Sequence, residues 1–87
     1  MNDESLIEYP CDFPIKIMGK ETDEFRAAAT AIVERITGPE SAATAVARKS
    51  REGRYLALSF TAHVTSREQL DSLYQALSDD EHVMVVL

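Results

Sequence analysis

Two histidines, one cysteine and a cluster of basic residues have the widest chemical reach in this sequence. His63, His82 and Cys11 carry donor types that bind zinc, since imidazole and thiolate are both soft enough ligands. Their placement argues against a metal site, because the three fall in separate segments. A lone cysteine also excludes an intrachain disulfide and any cysteine-rich zinc site within one chain. Cys11 is followed by Asp12, with no lysine or histidine beside it to lower the thiol pKa, so it does not read as a nucleophile. No Ser-His-Asp or Cys-His arrangement can be argued from spacing. The carboxylates sit where they would cap or decorate helices rather than pair for acid–base work. The expectation is a protein that is not an enzyme and holds no cofactor.

Two stretches remain as candidate binding sites. Met18, Gly19, Lys20 and Thr22 surround a turn that joins a flexible glycine, a lysine and the start of a helix, a combination suited to a small anion or carboxylate. The alternative is a plain connection between a strand and a helix. Arg48, Lys49, Arg51 and Arg54, with Tyr55 beside them, form a basic hairpin that could meet phosphate, an acidic partner or RNA. The alternative there is a solvated turn. An RNA-binding sheet usually offers several stacking aromatics, and only Tyr55 is available, so nucleic acid is not the expected partner. The formal net charge of −6 points the same way.

The elements that must position these residues follow from periodicity. Phe13, Ile15 and Ile17 alternate with Pro14, Lys16 and Met18, a half-buried strand closed by Gly19. Thr22 is a suitable N-cap, and Asp23 and Glu24 suit the first turn of a helix, where the backbone dipole favours negative charge. Phe25, Ala29, Ile32, Val33 and Ile36 then recur at helical spacing, and Gly38-Pro39 stops the run, which predicts a helix over 23–37. Residues 42–50 are rich in alanine yet read as a strand, because the following segment needs a hairpin partner. Arg51-Glu52-Gly53 is the turn.

The strongest alternation runs over 55–65, with Leu56, Leu58, Phe60, Ala62 and Val64 on one face and Tyr55, Ala57, Ser59, Thr61 and His63 on the other. Ser66 and Gln69 form a capping box for a second helix, whose apolar stripe is Leu70, Leu73, Tyr74 and Leu77. Residues 82–87 form a last strand. The predicted order is βαββαβ. It corresponds to an α+β, ferredoxin-like sandwich with a four-stranded antiparallel sheet, two helices on one face, and the first and third strands central. The uncovered face would carry Met18, Tyr55, Ala57, Ser59 and Thr61, and one parity of the last strand adds Met84 and Val86. Such a semi-apolar face suggests a partner or ligand surface, face-to-face homodimerisation included.

The chain of 87 residues suits one small domain with a modest core. Residues 1–12 are expected to be a partly flexible tail, with Leu6, Ile7 and Tyr9 able to fold back on the domain, and residues 13–87 the domain itself. The acidic N-terminus lacks the basic and apolar regions of a signal peptide. No apolar run approaches the ~20 residues that span a bilayer. With one cysteine, these features suggest a soluble cytoplasmic protein with no membrane association.

Read together, Tyr9-Pro10, Phe13 to Gly19, Ser50 with Gly53-Arg54-Tyr55, the alternating strand to Val64, Glu68-Gln69-Leu70, Leu73 to Leu77 and Val83 to Leu87 resemble the YbeD-like family of small uncharacterised bacterial proteins over about residues 6–87. The resemblance implies a ferredoxin-like fold similar to ACT regulatory domains, which bind amino acids or related effectors. It also implies a regulatory role with a proposed link to lipoate metabolism. It carries no functional residues to transfer, and the alanines at 42, 43, 45 and 47 depart from the expected pattern. Two function classes result: an ACT-like regulatory module that senses a small metabolite near Gly19, and a protein-interaction adaptor that uses the basic hairpin or the open sheet face.

Overall fold

The computed structural model describes residues 8–87. Its elements are β1 (Cys11–Lys20), α1 (Asp23–Thr37), α2 (Pro39–Ala42), β2 (Val46–Lys49), β3 (Tyr55–Val64), α3 (Arg67–Asp79) and β4 (Val83–Val86). The sheet is antiparallel in the order β2-β3-β1-β4, so β1 and β3 are central as the alternation predicts. The architecture is α+β and compatible with a ferredoxin-like fold. No helix among the described residues is long and apolar enough to cross a membrane.

β1 and β3 pair along their whole length, from Cys11 opposite Val64 to Lys20 opposite Tyr55. That register puts Ile15, Ile17, Leu56, Leu58, Phe60, Ala62 and Val64 on one face, where they form the core with Phe25, Ala29, Ile32 and Val33 of α1 and Leu70, Leu73 and Leu77 of α3. Phe13 is half-buried at the edge of this core and meets Tyr74 edge-to-face, with ring centroids 6.4 Å apart. Both long helices are set by local chemistry. Thr22 Oγ1 accepts the Phe25 N–H and Ser66 Oγ accepts the Gln69 N–H, each filling an orphan donor of a first turn.

Several details depart from the sequence reading. Cys11 and Asp12, assigned to the tail, open β1; Tyr9 folds back on the core as expected, and Leu6 and Ile7 lie outside the described residues. The Gln69 side chain does not close the capping box on Ser66. It accepts from the Thr65 N–H and donates to the Ile36 carbonyl, one of the orphan acceptors at the end of α1.

The largest correction concerns residues 42–50. Pro39 starts a new one-turn helix after Gly38, whose φ of 97° suits glycine, and Ala42 ends it. Only Val46–Lys49 pairs with β3, opposite Ser59 to Leu56. Farther along β3, two hydroxyls take the place of a strand. Thr44 Oγ1 accepts the Thr61 N–H at 2.7 Å, and Ser41 Oγ accepts the His63 N–H at 2.9 Å. Each hydroxyl also donates to a carbonyl, Thr44 to Ser41 and Ser41 to Thr37. Ser41 is 1% exposed, so this bond satisfies a polar group with no access to water.

At the other edge a bulge between Met18 and Gly19 shifts the pairing of β4. Val83 and Val86 therefore both pack on the core side, Val85 stands opposite Met18, and Met84 is the extra exposed residue. Val86, which one parity of the strand would put on the open face, is not part of it.

Candidate functional site

The turn after β1 is built around packing. A Cβ on Gly19 would lie 2.5 Å from the Phe25 ring and 2.7 Å from the His82 carbonyl oxygen, so the glycine makes room for Phe25 and the space beside it is filled. Met18 faces the open side of the sheet, Lys20 is exposed at the end of β1, and the Thr22 hydroxyl is used as the cap of α1. The charge at the start of that helix is an internal carboxylate. Glu21 accepts from Arg26 Nε at 3.1 Å and from Arg26 Nη2 at 2.9 Å, and Lys49 Nζ reaches it at 3.2 Å. The Arg26 hydrogen bonds first, and then Lys49, hold its carboxyl below the usual carboxylate range. Glu21 is thus a tie between the start of α1 and the β2–β3 hairpin, reinforced by the Glu21 N–H on the Arg54 carbonyl at 2.9 Å.

This tie divides the predicted basic cluster. Lys49 is turned to Glu21, and Arg54 meets Glu52 at 3.7 Å with both side chains well exposed. Arg48 and Arg51 have no carboxylate partner among the described residues. Tyr55 stands between two shallow grooves. One of about 260 Å³ is lined by Ser50, Arg51, Glu52, Arg54 and Tyr55. The other, about 160 Å³, is floored by Met18 and Ala57 and flanked by Arg48 and Tyr55. The turn itself is fixed by Gly53 at a φ of 76°, by the Gly53 N–H on the Ser50 carbonyl, and by the Ser50 hydroxyl accepting from Tyr55 N–H.

The hairpin continues into the open sheet face. Val46 is opposite Ser59, Arg48 opposite Ala57, Lys16 opposite Ser59, Met18 opposite Ala57 and Val85, and Lys20 opposite Tyr55. Leu87 extends the β1–β4 pairing by exchanging both main-chain hydrogen bonds with Lys16, at 2.8 and 3.1 Å. It lines a groove of about 280 Å³ with Pro14, Lys16, Val46 and Ser59. Val46, Tyr55, Met84, Val85 and Leu87 are the exposed large apolar side chains among the described residues. All but Met84, in the bulge, lie on this face.

A fourth groove, of about 380 Å³, lies at the opposite end of β3, where Ser41, Thr44 and Glu40 approach Asp12, Thr61 and His63. His63 Nδ1 is 3.1 Å from Asp12 Oδ1, a directly opposed cross-strand pair with both side chains exposed. Ser41 is near in space, but its oxygen is committed to main-chain groups on both sides. His82 is 3.8 Å from Glu81 and apart from His63, and no group of three metal-type ligands forms among the described residues. Cys11 is a free, half-buried thiol.

The Glu21 tie, the two strand-replacing hydroxyls and the His63–Asp12 pair were not read from the sequence. Each joins residues far apart in the chain, so no local spacing announces it. The Phe-Pro-Ile-Lys-Ile-Met-Gly strand and the Gly-Arg-Tyr entry to β3 position the open face and the hairpin.

The model of a family described as protein of unknown function (DUF493) matches residues 4–87. A UPF0250 protein of Nitrosomonas europaea is 52% identical over 87 residues, covering all of both chains. One from Bordetella pertussis is 51% identical over 85 residues, covering 98% of this chain and 93% of the relative. One from Chromobacterium violaceum is 44% identical over 90 residues and again covers both chains fully. These matches span the elements that build the sheet, the hairpin and both long helices, and the chain belongs to the DUF493 family, the YbeD-like group of bacterial proteins that its sequence resembles.

Proposed function

We propose that the protein is a non-enzymatic cytoplasmic binding module that docks the open face of its sheet, with the adjoining hairpin, on a protein partner. The observation that carries this reading is the clustering of Val46, Tyr55, Val85 and Leu87 on the one sheet face that no helix covers. An exposed apolar patch costs solubility, and a contiguous one is a usual mark of an interaction surface. The non-enzymatic part is supported by the Ser41 hydroxyl, which is spent on the backbone, and by the open, shallow form of the grooves.

The test is affinity capture from native cells with the wild-type chain and with a Val46→Asp, Val85→Asp variant of unchanged circular dichroism and melting temperature. A stoichiometric protein retained by the wild type and lost with the variant is the expected result. Equal retention by both, or turnover of a substrate by the isolated chain, would overturn the reading.

One observation favours a second reading, a regulatory module for a small apolar acid. Lys16 borders the groove formed by Pro14, Val46 and Leu87, which pairs a cation with apolar walls. Lipoate-related acids, suggested by the family resemblance, fit that chemistry better than they fit the filled space at Gly19. A ligand that binds only the native state raises the melting temperature. A rise with such acids that disappears in Lys16→Gln supports this reading, and a flat response removes it.

A further inference from the structure

The exposed groups of the open face are arranged in rungs across the strands. The first rung is Val46, Ser59, Lys16 and Leu87; the second is Arg48, Ala57, Met18 and Val85; the third is Tyr55 and Lys20. Successive rungs lie two residues apart along a strand, about 7 Å. Each rung therefore joins one cation to at least one large apolar side chain. Asp12, beyond the first rung, carries the face's negative charge. The helical layer behind the sheet has the opposite balance, with seven carboxylates and three guanidinium groups in α1, α2 and α3. A chain of net charge −6 thus keeps a locally basic, apolar-dotted surface on one side.

We infer that the partner presents an acidic segment in which carboxylates alternate with apolar side chains, and that this segment lies across the three rungs. The inference rests on the docking reading above and adds the chemistry of the partner. Carboxylates would meet Lys16, Arg48 and Lys20, while apolar residues enter the grooves beside Val46 and Leu87 and beside Met18 and Tyr55. Arg51, without a carboxylate partner among the described residues, extends the positive field and would speed encounter with such a segment. The acidic helical layer repels the same segment, so the field also selects the face.

Charge argues against the other occupants. Two copies joined face to face would set the basic face holding Lys16, Lys20 and Arg48 against a second copy of itself, a like-charge juxtaposition that opposes association. A second copy offering its acidic helices would make a head-to-tail contact that does not close. RNA would find few stacking rings among the described residues of this face, Tyr55 at one end of β3 and His63 at the other.

The test uses the full chain and three short fluorescent peptides that alternate leucine with glutamate, with serine or with lysine. The glutamate peptide is expected to bind roughly tenfold more tightly than the serine peptide, with no binding of the lysine peptide and a loss of affinity as salt rises. Lys16→Glu and Arg48→Glu, both at exposed positions, should each weaken it about tenfold at unchanged melting temperature. Amide shifts should fall on Met18, Val46, Arg48 and Ala57. Binding of the lysine peptide as well as the glutamate one, no binding of any peptide, indifference to both charge reversals, or shifts confined to the helices would each overturn the inference. So would tighter binding of oligouridylate, or a concentration-dependent dimer in sedimentation. If a captured partner is lost with the Val46→Asp, Val85→Asp variant but kept by Arg48→Glu, docking stands and its acidic chemistry falls.

Discussion

Along β3, Leu56, Leu58, Phe60, Ala62 and Val64 are at most 4% exposed, while Tyr55 on the other side of the same strand is 43% exposed. The two sides alternate residue by residue, so one backbone serves a covered face and an open one. The covered face holds the fold together by burying apolar surface under α1 and α3. The open face contributes little of that burial. Burial and exposure are thus separated on a strand by a shift of one position, and mutations can measure how far stability depends on the buried set alone.

The largest effect should come from the covered face. Leu58→Ala removes a side chain that is 4% exposed and is expected to cost about 2–5 kcal/mol in urea unfolding. Val46→Ser, at 65% exposure, should stay within about 0.5 kcal/mol. A comparable loss at both positions would show that the open face is structural after all.

A smaller effect is expected where the two faces meet the α2 edge. Ser41→Ala leaves the His63 N–H without its acceptor, a side chain that is 1% exposed, which should cost about 1–3 kcal/mol. Its amide should exchange faster with solvent in the same variant. If exchange is unchanged, the hydroxyl is not what holds that part of β3.

The smallest effect is electrostatic and depends on pH. Arg26 and then Lys49 lower the Glu21 pKa in the folded chain, so the unfolded chain takes up its proton first as pH falls. The contribution is therefore complete above the ordinary value of 4.5 and is lost as pH drops through the lowered folded value. Glu21→Gln should be less stable than the wild type at neutral pH, and the gap should close on acidification. A gap that persists at the acid end would mean that the side chain acts by packing alone.

Much of this architecture is legible in the chain. The β1 and β3 alternation and the 3.6-residue stripes of α1 and α3 are long signals, and the caps at Thr22 and Ser66 are local, so one sequence suffices to read them. Residues 42–45 were illegible as a turn because their role is set by Thr61 and His63, far along the chain. The face of Val86 depended on a bulge that period-two counting cannot anticipate. At Gly19 the sequence suggested conformational freedom, whereas the requirement is space for the Phe25 ring. The candidate surface was half legible. Its residue types could be named from alternation, but the rungs that join Lys16 to Leu87 and Arg48 to Met18 exist only once the register is known.

The hydroxyls of Ser41 and Thr44 have a consequence for life in a crowded cell. β2 is four residues long and leaves the far half of β3 without a strand on that edge, β1 being its neighbour on the other. Free N–H groups there would be a template on which another chain could add a strand and start an aggregate. Because the Thr61 and His63 N–H groups are already bonded to side chains, that template is closed. Two small hydroxyls on a turn thus do for this edge what proline, charge or a longer strand does for others.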